Sequence, residues 1–138
     1  MLDVEVVGAE HAPGAPSQEE IAALCASAAH ARGVEDGHVA VEFVSEQRIA
    51  ELNERHRDRA QATDVLSFPV DGAGPLPPAP DGAAPPRELG DIVICPAHTT
   101  DLSEAVVHGM LHLLGMDHER DEGEMLALQD ELLSRARR

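Results

Sequence analysis

The sequence predicts an α+β domain: a small mixed four-stranded sheet packed with helices. Three observations predict it. Four short segments carry strand patterning, and four longer ones carry helical spacing. Turn residues separate them in an order that interleaves the two kinds. The chain has 138 residues, which fits one domain over 1–138. Hydrophobic residues make up 43% of it, enough for a core.

Residues 2–7 alternate apolar with acidic and read as a half-buried strand. A loop with Pro13, Gly14 and Pro16 follows. Ser17 and Glu20 form a capping box that opens a helix to about residue 31, with Ile21, Leu24, Cys25 and Ala28 on one face. Gly33 and Gly37 bracket a turn. Val39, Val41 and Phe43 mark a second strand, and Ser45 caps a second helix carrying Ile49 and Leu52. Residues 64–68 form a third strand, which Pro69 is expected to stop. Residues 71–86 hold six of the ten prolines and read as an exposed, mobile loop joining two strands. Residues 88–95 are the fourth strand. A third helix opens near Thr100 or Asp101 and ends near Gly115. The last helix runs from about Glu119 to Ala136, burying Met125, Leu128, Leu132 and Leu133.

Charge and composition exclude several function classes. The formal net charge is −16, from 26 acids and 10 bases, and every base is Arg. A broadly basic surface for non-specific DNA binding is excluded, so any nucleic-acid contact is local. Phe43 and Phe68 are the only aromatic residues among Phe, Tyr and Trp, which argues against a base-stacking platform. Cys25 and Cys95 make no disulfide framework and read as small buried residues in a reducing compartment. The N-terminus shows no basic region followed by an apolar run, and no apolar stretch approaches the roughly 18 residues that span a bilayer. The expected setting is the cytoplasm, away from membranes.

The informative segment is His108-Gly109-Met110-Leu111-His112-Leu113-Leu114-Gly115-Met116-Asp117-His118. Helical positions four apart lie about 40° from each other, one turn on, so His108 and His112 share a face. Gly115 lets the helix end in a left-handed turn, and the chain can then bring His118 back from outside. Three imidazoles so placed can hold one tetrahedral ion with an open position for water. Such ligation favours zinc, though nickel and copper also bind imidazole. Asp117 is either a solvated loop acid or an acceptor orienting a ligand imidazole.

The spacing equals the frame H-x-x-x-H-x-x-G-x-x-H of metzincin peptidases. Those enzymes place Glu directly after the first His as general base. Here that position is Gly109, so the general base is missing. A phosphodiester makes other demands: its developing negative charge can be met by a metal and an Arg. Arg48, Arg55, Arg57 and Arg59 fall close together before the third strand, among Glu46, Glu51, Glu54 and Asp58. On composition alone they read as a solvated helix end.

The motif resembles H-G-x-L-H-L-x-G-x-D-H, the signature of YbeY-type endoribonucleases. Leu52-Asn53 followed by Arg57, then Thr63-Asp64-Val65-Leu66-Ser67-Phe68-Pro69, looks like a second family motif. Leu89-Gly90-Asp91-Ile92-Val93-Ile94-Cys95 looks like a third, and Met125 with Glu131 fits the C-terminal pattern. The resemblance covers roughly residues 38–133. It implies a zincin-like fold and one Zn²⁺ per chain held by His108, His112 and His118, with Ni²⁺ as an alternative ion. It also implies cleavage of single-stranded rRNA, in 16S rRNA 3′-end maturation and ribosome quality control. The partners implied are the ribosome or its small subunit and ribosomal proteins, not DNA. The family's functional arginine falls on Arg57, which would bind the scissile phosphate and stabilise its transition state. The nucleophile is either a water activated at the metal or the RNA 2′-OH.

The chain departs from the family pattern at His56 and Met116, where Tyr is common, and at Ala62, where Pro is common. Only twelve residues separate Cys95 from His108, fewer than usual. Two competing readings follow from the same residues. One is a non-catalytic ribosome-assembly factor whose metal is structural, closed by a fourth ligand such as Asp117, His98 or Cys95. The other is a metallopeptidase in which Asp64 or Asp91 replaces the missing base.

Overall fold

A computed structural model describes residues 2–57, 65–71, 87–117 and 121–137. The alternating segments form one sheet from β1 (Leu2–Val7), β2 (Gly37–Phe43), β3 (Val65–Pro69) and β4 (Glu88–Ile94), in the order β1-β2-β4-β3. β1, β2 and β4 run parallel, and β3 pairs antiparallel with β4 at the edge. The sheet is therefore mixed, as the sequence predicts.

The period of two sorts the side chains onto two faces. Val4, Val39, Val41, Phe43, Ile92 and Ile94 face the main core. α1 (Gln18–Ala31), α3 (Leu102–Leu113) and α4 (Glu124–Ala136) contribute its other wall, with Ile21, Leu24, Met110, Leu111, Met125 and Leu132 buried there. α2 (Glu46–Arg57) belongs to a second cluster, in which Ile49 and Leu52 pack with Leu66, Val93 and Cys95. Val93 and Leu66 are register partners next to Ile92, so α2 and α3 lie on opposite faces of the sheet. Cys25 and Cys95 are both free and buried, and burial pushes the Cys25 thiol up to about 12.

The caps follow the expected chemistry. The Ser17 hydroxyl accepts from the Glu20 amide at 3.1 Å, and that of Ser45 from Arg48 at 3.2 Å. Asp101 caps α3 by accepting from Glu104 at 3.1 Å. It also accepts from Arg137, which ties the start of α3 to the end of α4. Burial would raise the Asp101 pKa, but the hydrogen bonds and charge of Arg137 and the cap amides hold it below the usual carboxylate range.

One boundary meets the expectation in an unusual way, and one differs from it. β3 ends at Pro69, as expected, with Pro69 itself paired to Gly90; beyond it the amides of Val70 and Asp71 still donate to Leu89 at 3.1 Å and Glu88 at 2.8 Å. An edge strand tolerates Pro because one row of its amides bonds no neighbour. Asp71 stays bonded to β4 past the end of the strand, its carboxylate accepting from the Glu88 amide at 2.7 Å. The rest of the proline-rich loop lies outside the described residues. α4 begins at Glu124, not near Glu119. Asp121 accepts from the amides of Gly123 at 2.9 Å and Met125 at 3.0 Å, and Gly123 adopts φ 106°, which a helix interior excludes.

The sheet face away from α3 carries Asp3, Glu5, Glu88 and Asp91 around His38, with Glu42 further along β2. His38 Nδ1 lies 2.8 Å from Glu88 Oε2, and its Nε2 lies 3.5 Å from Glu5. Burial lowers the His38 pKa, but the Glu88 hydrogen bond and the surrounding carboxylates outweigh it and raise it above 6.5. A raised histidine contributes stability below its unfolded pKa and loses it as pH rises through the folded one. His38→Gln is therefore expected to destabilise at about pH 6 and to become nearly neutral at about pH 9, by at most about 1 kcal/mol for so exposed a group. Urea unfolding at both pH values checks this; an equal or larger cost at the higher pH would refute it. Among the described residues, no helix is long and apolar enough to cross a membrane.

Candidate metal centre

The site is built on α3. His108 and His112 project from one face of it, and their Nε2 atoms lie 3.1 Å apart. The rings meet edge to face, with centroids 4.7 Å apart and planes at 76°. Two Zn–N bonds of about 2.0–2.1 Å meeting at a tetrahedral angle place their nitrogens about 3.3 Å apart. The two imidazoles therefore fit one such ion without rearranging the helix. Both are half-buried, held by protein yet reachable from solvent.

The helix ends as its glycine implies. The Met116 amide donates to Leu111 O and the Gly115 amide to His112 O, both at 3.0 Å, and Gly115 adopts φ 95°. This pair of bonds is the Schellman arrangement, which turns the chain sharply out of the helix. Met116 packs against the main core beyond the turn. His118 lies outside the described residues. Among the described residues, no group of three His, Cys, Asp or Glu side chains stands together as a metal site.

Gly109 explains how closely α3 approaches the sheet. A Cβ there would fall 2.5 Å from Ile92 Cγ2 on β4. Ser67 on β3 donates its hydroxyl to Gly109 O at 3.1 Å, fixing the height of the helix over the sheet. Position 109 thus points into the core and not toward the imidazoles. The same approach uses Gly90, whose φ of 135° and 2.2 Å clearance to Phe68 O admit no side chain.

Other candidates are dispersed. Asp91 sits on the sheet face away from α3, pushed up by burial and then by the Glu88 charge. Asp64 lies outside the described residues. Cys95 is buried in the cluster under α2, and His98 lies 3.4 Å from Glu46. Arg57 is the last residue of α2, and its side chain lies outside the described part.

Sequence reasoning missed two residues, Ser67 and Gln129. Gln129 on α4 is buried, with its Oε1 2.8 Å from His108 Nδ1. The signal was present, because Gln129 sits four residues after Met125 on an otherwise apolar stripe.

A family model described as Endoribonuclease YbeY matches residues 14–137. The chain belongs to the YbeY endoribonuclease family. It is 40% identical over 125 residues to Endoribonuclease YbeY of Bacillus cytotoxicus, with 80% of each chain matched. It is 45% identical over 108 residues to that of Acidothermus cellulolyticus, covering 67% of this chain and 66% of the relative. The match to the Corynebacterium efficiens relative is 44% over 114 residues, covering 72% of this chain and 57% of that longer one. The fold is similar to the solution structure of TM1509 from Thermotoga maritima, with a TM-score of 0.54 and 24% identity over 96% of this chain and 88% of that one. The matched span includes His108, His112, Arg57 and His118.

Proposed function

We propose that this chain is a zinc-dependent endoribonuclease that cuts single-stranded rRNA in the cytoplasm. In this reading it acts on the 3′ end of 16S rRNA during ribosome maturation and quality control. The observation that carries the reading is the 3.1 Å approach of the two Nε2 atoms on α3, in a chain of the YbeY family. His108, His112 and His118 hold one ion, with nickel as the alternative. When bound, zinc supplies Lewis acidity and lowers the pKa of a coordinated water.

The chain's own residues supply the rest. Arg57 binds the scissile phosphate and offsets the charge that develops on it. Gly109, aimed at Ile92, offers no general base, which favours phosphodiester over peptide cleavage. With a net charge of −16, docking through ribosomal proteins or Mg²⁺-loaded rRNA supplies the affinity that a basic surface would otherwise give. The two free, buried cysteines suit a reducing compartment.

The test is cleavage of a single-stranded rRNA fragment by zinc-loaded protein, with Arg57→Ala beside it. The variant is expected to keep its zinc and lose about 10²–10³-fold in rate. Full activity would remove Arg57 from the mechanism, and a wild-type protein inactive on RNA would overturn the enzymatic reading in favour of an assembly factor. Product ends name the nucleophile, because 2′,3′-cyclic phosphates mean attack by the 2′-OH.

A further inference from the structure

A neutral imidazole carries one N–H, on either Nδ1 or Nε2, and only the bare nitrogen can bind a metal. Gln129 Oε1 has no hydrogen and stands 2.8 Å from His108 Nδ1, so Nδ1 must donate. The His108 lone pair is then left on Nε2, the atom 3.1 Å from His112 Nε2. Gln129 is 5% exposed, on the stripe of α4 that also buries Met125, Leu132 and Leu133. Its position is set by helix packing and does not depend on an ion.

We infer that Gln129 is a positioning residue that locks His108 in the Nδ1–H tautomer and aims Nε2 at the metal. This rests on the proposed metal site. The choice of an amide matters as well. A carboxylate would orient the ring equally well, but it would add a negative charge beside a site that must admit an anionic phosphodiester, in a chain already at −16. Gln129 orients the ligand without adding that charge.

The experiment uses the full chain as wild type, Gln129→Met and Gln129→Glu. Long-range ¹H–¹⁵N spectra of metal-free protein read the His108 tautomer, and competition with a chromophoric chelator reads zinc affinity. Wild type is expected as Nδ1–H. Gln129→Met, close in shape but without the acceptor, is expected to shift toward Nε2–H and lose about 10–100-fold in zinc affinity. Gln129→Glu is expected to keep the tautomer and the zinc while raising KM for RNA several-fold at low salt. A wild-type ring protonated on Nε2, or a Gln129→Met protein with unchanged tautomer and affinity, would overturn the inference. Should Gln129→Met not fold, the wild-type tautomer and the Gln129→Glu affinity still decide. A wild type that binds no zinc would instead defeat the metal site, and the metal-free spectra would still decide the orientation of His108.

Discussion

His112→Ala is expected to purify without stoichiometric zinc and to cleave RNA at least about 10³-fold more slowly, equivalent to about 4 kcal/mol of transition-state stabilisation. The reason is geometric. His112 Nε2 is one of the two nitrogens that stand 3.1 Å apart, and its removal leaves α3 with a single imidazole. The fold should survive, because His112 is half-buried and alanine favours helix. Thermal unfolding of the metal-free protein should change by no more than about 1 kcal/mol. His108→Ala should lose metal equally but cost more stability. It strands the buried Gln129 Oε1 without the donor 2.8 Å away, a penalty of about 1–3 kcal/mol. Metal analysis and unfolding on both variants check this. Full zinc in His112→Ala would exclude that residue as a ligand, and equal stabilities would contradict the His108–Gln129 contact.

Gly109→Ala should destabilise the protein by about 2 kcal/mol, although alanine is the better helix former by about 1 kcal/mol. The added methyl would sit 2.5 Å from Ile92 Cγ2 and 3.3 Å from its Cγ1. Moving α3 away to relieve this would stretch the 3.1 Å Ser67–Gly109 bond. Ile92→Ala removes both colliding carbons and costs about 2–5 kcal/mol alone through the cavity it leaves. The double variant should therefore be more stable than the sum of the two by at least about 1 kcal/mol. Denaturant unfolding of the four proteins measures the coupling, and strict additivity would refute the contact. The same geometry bears on chemistry. A Glu at 109 would be driven against Ile92 on the sheet, so a peptidase base is not restored by that one change.

Much was legible because the relevant patterns are local. Alternation in residues 2–7 and 39–43, the caps at Ser17, Ser45 and Asp101, and the left-handed exit at Gly115 depend on neighbours a few residues away. The one boundary that differed was local too, at the start of the last helix. The last helix, expected from about Glu119, starts at Glu124, where Asp121 and Gly123 set its first turn. Pro69 ends β3 as expected while still pairing with Gly90, because the sheet edge demands no amide from it.

Sequence alone determined that two imidazoles share a face of α3, because an interval of four is about one helical turn whatever the fold around it. It also determined that no carboxylate follows the first of them, and that the chain is too acidic to bind nucleic acid through broad charge. Tertiary structure decided that Gly109 faces Ile92 and that α2 and α3 occupy opposite sheet faces. It also decided that Gln129, 21 residues downstream, meets His108. Those outcomes arise from the packing of separate elements. Which polar atom meets which across such a contact depends on helix rotation and strand register, which no local interval encodes.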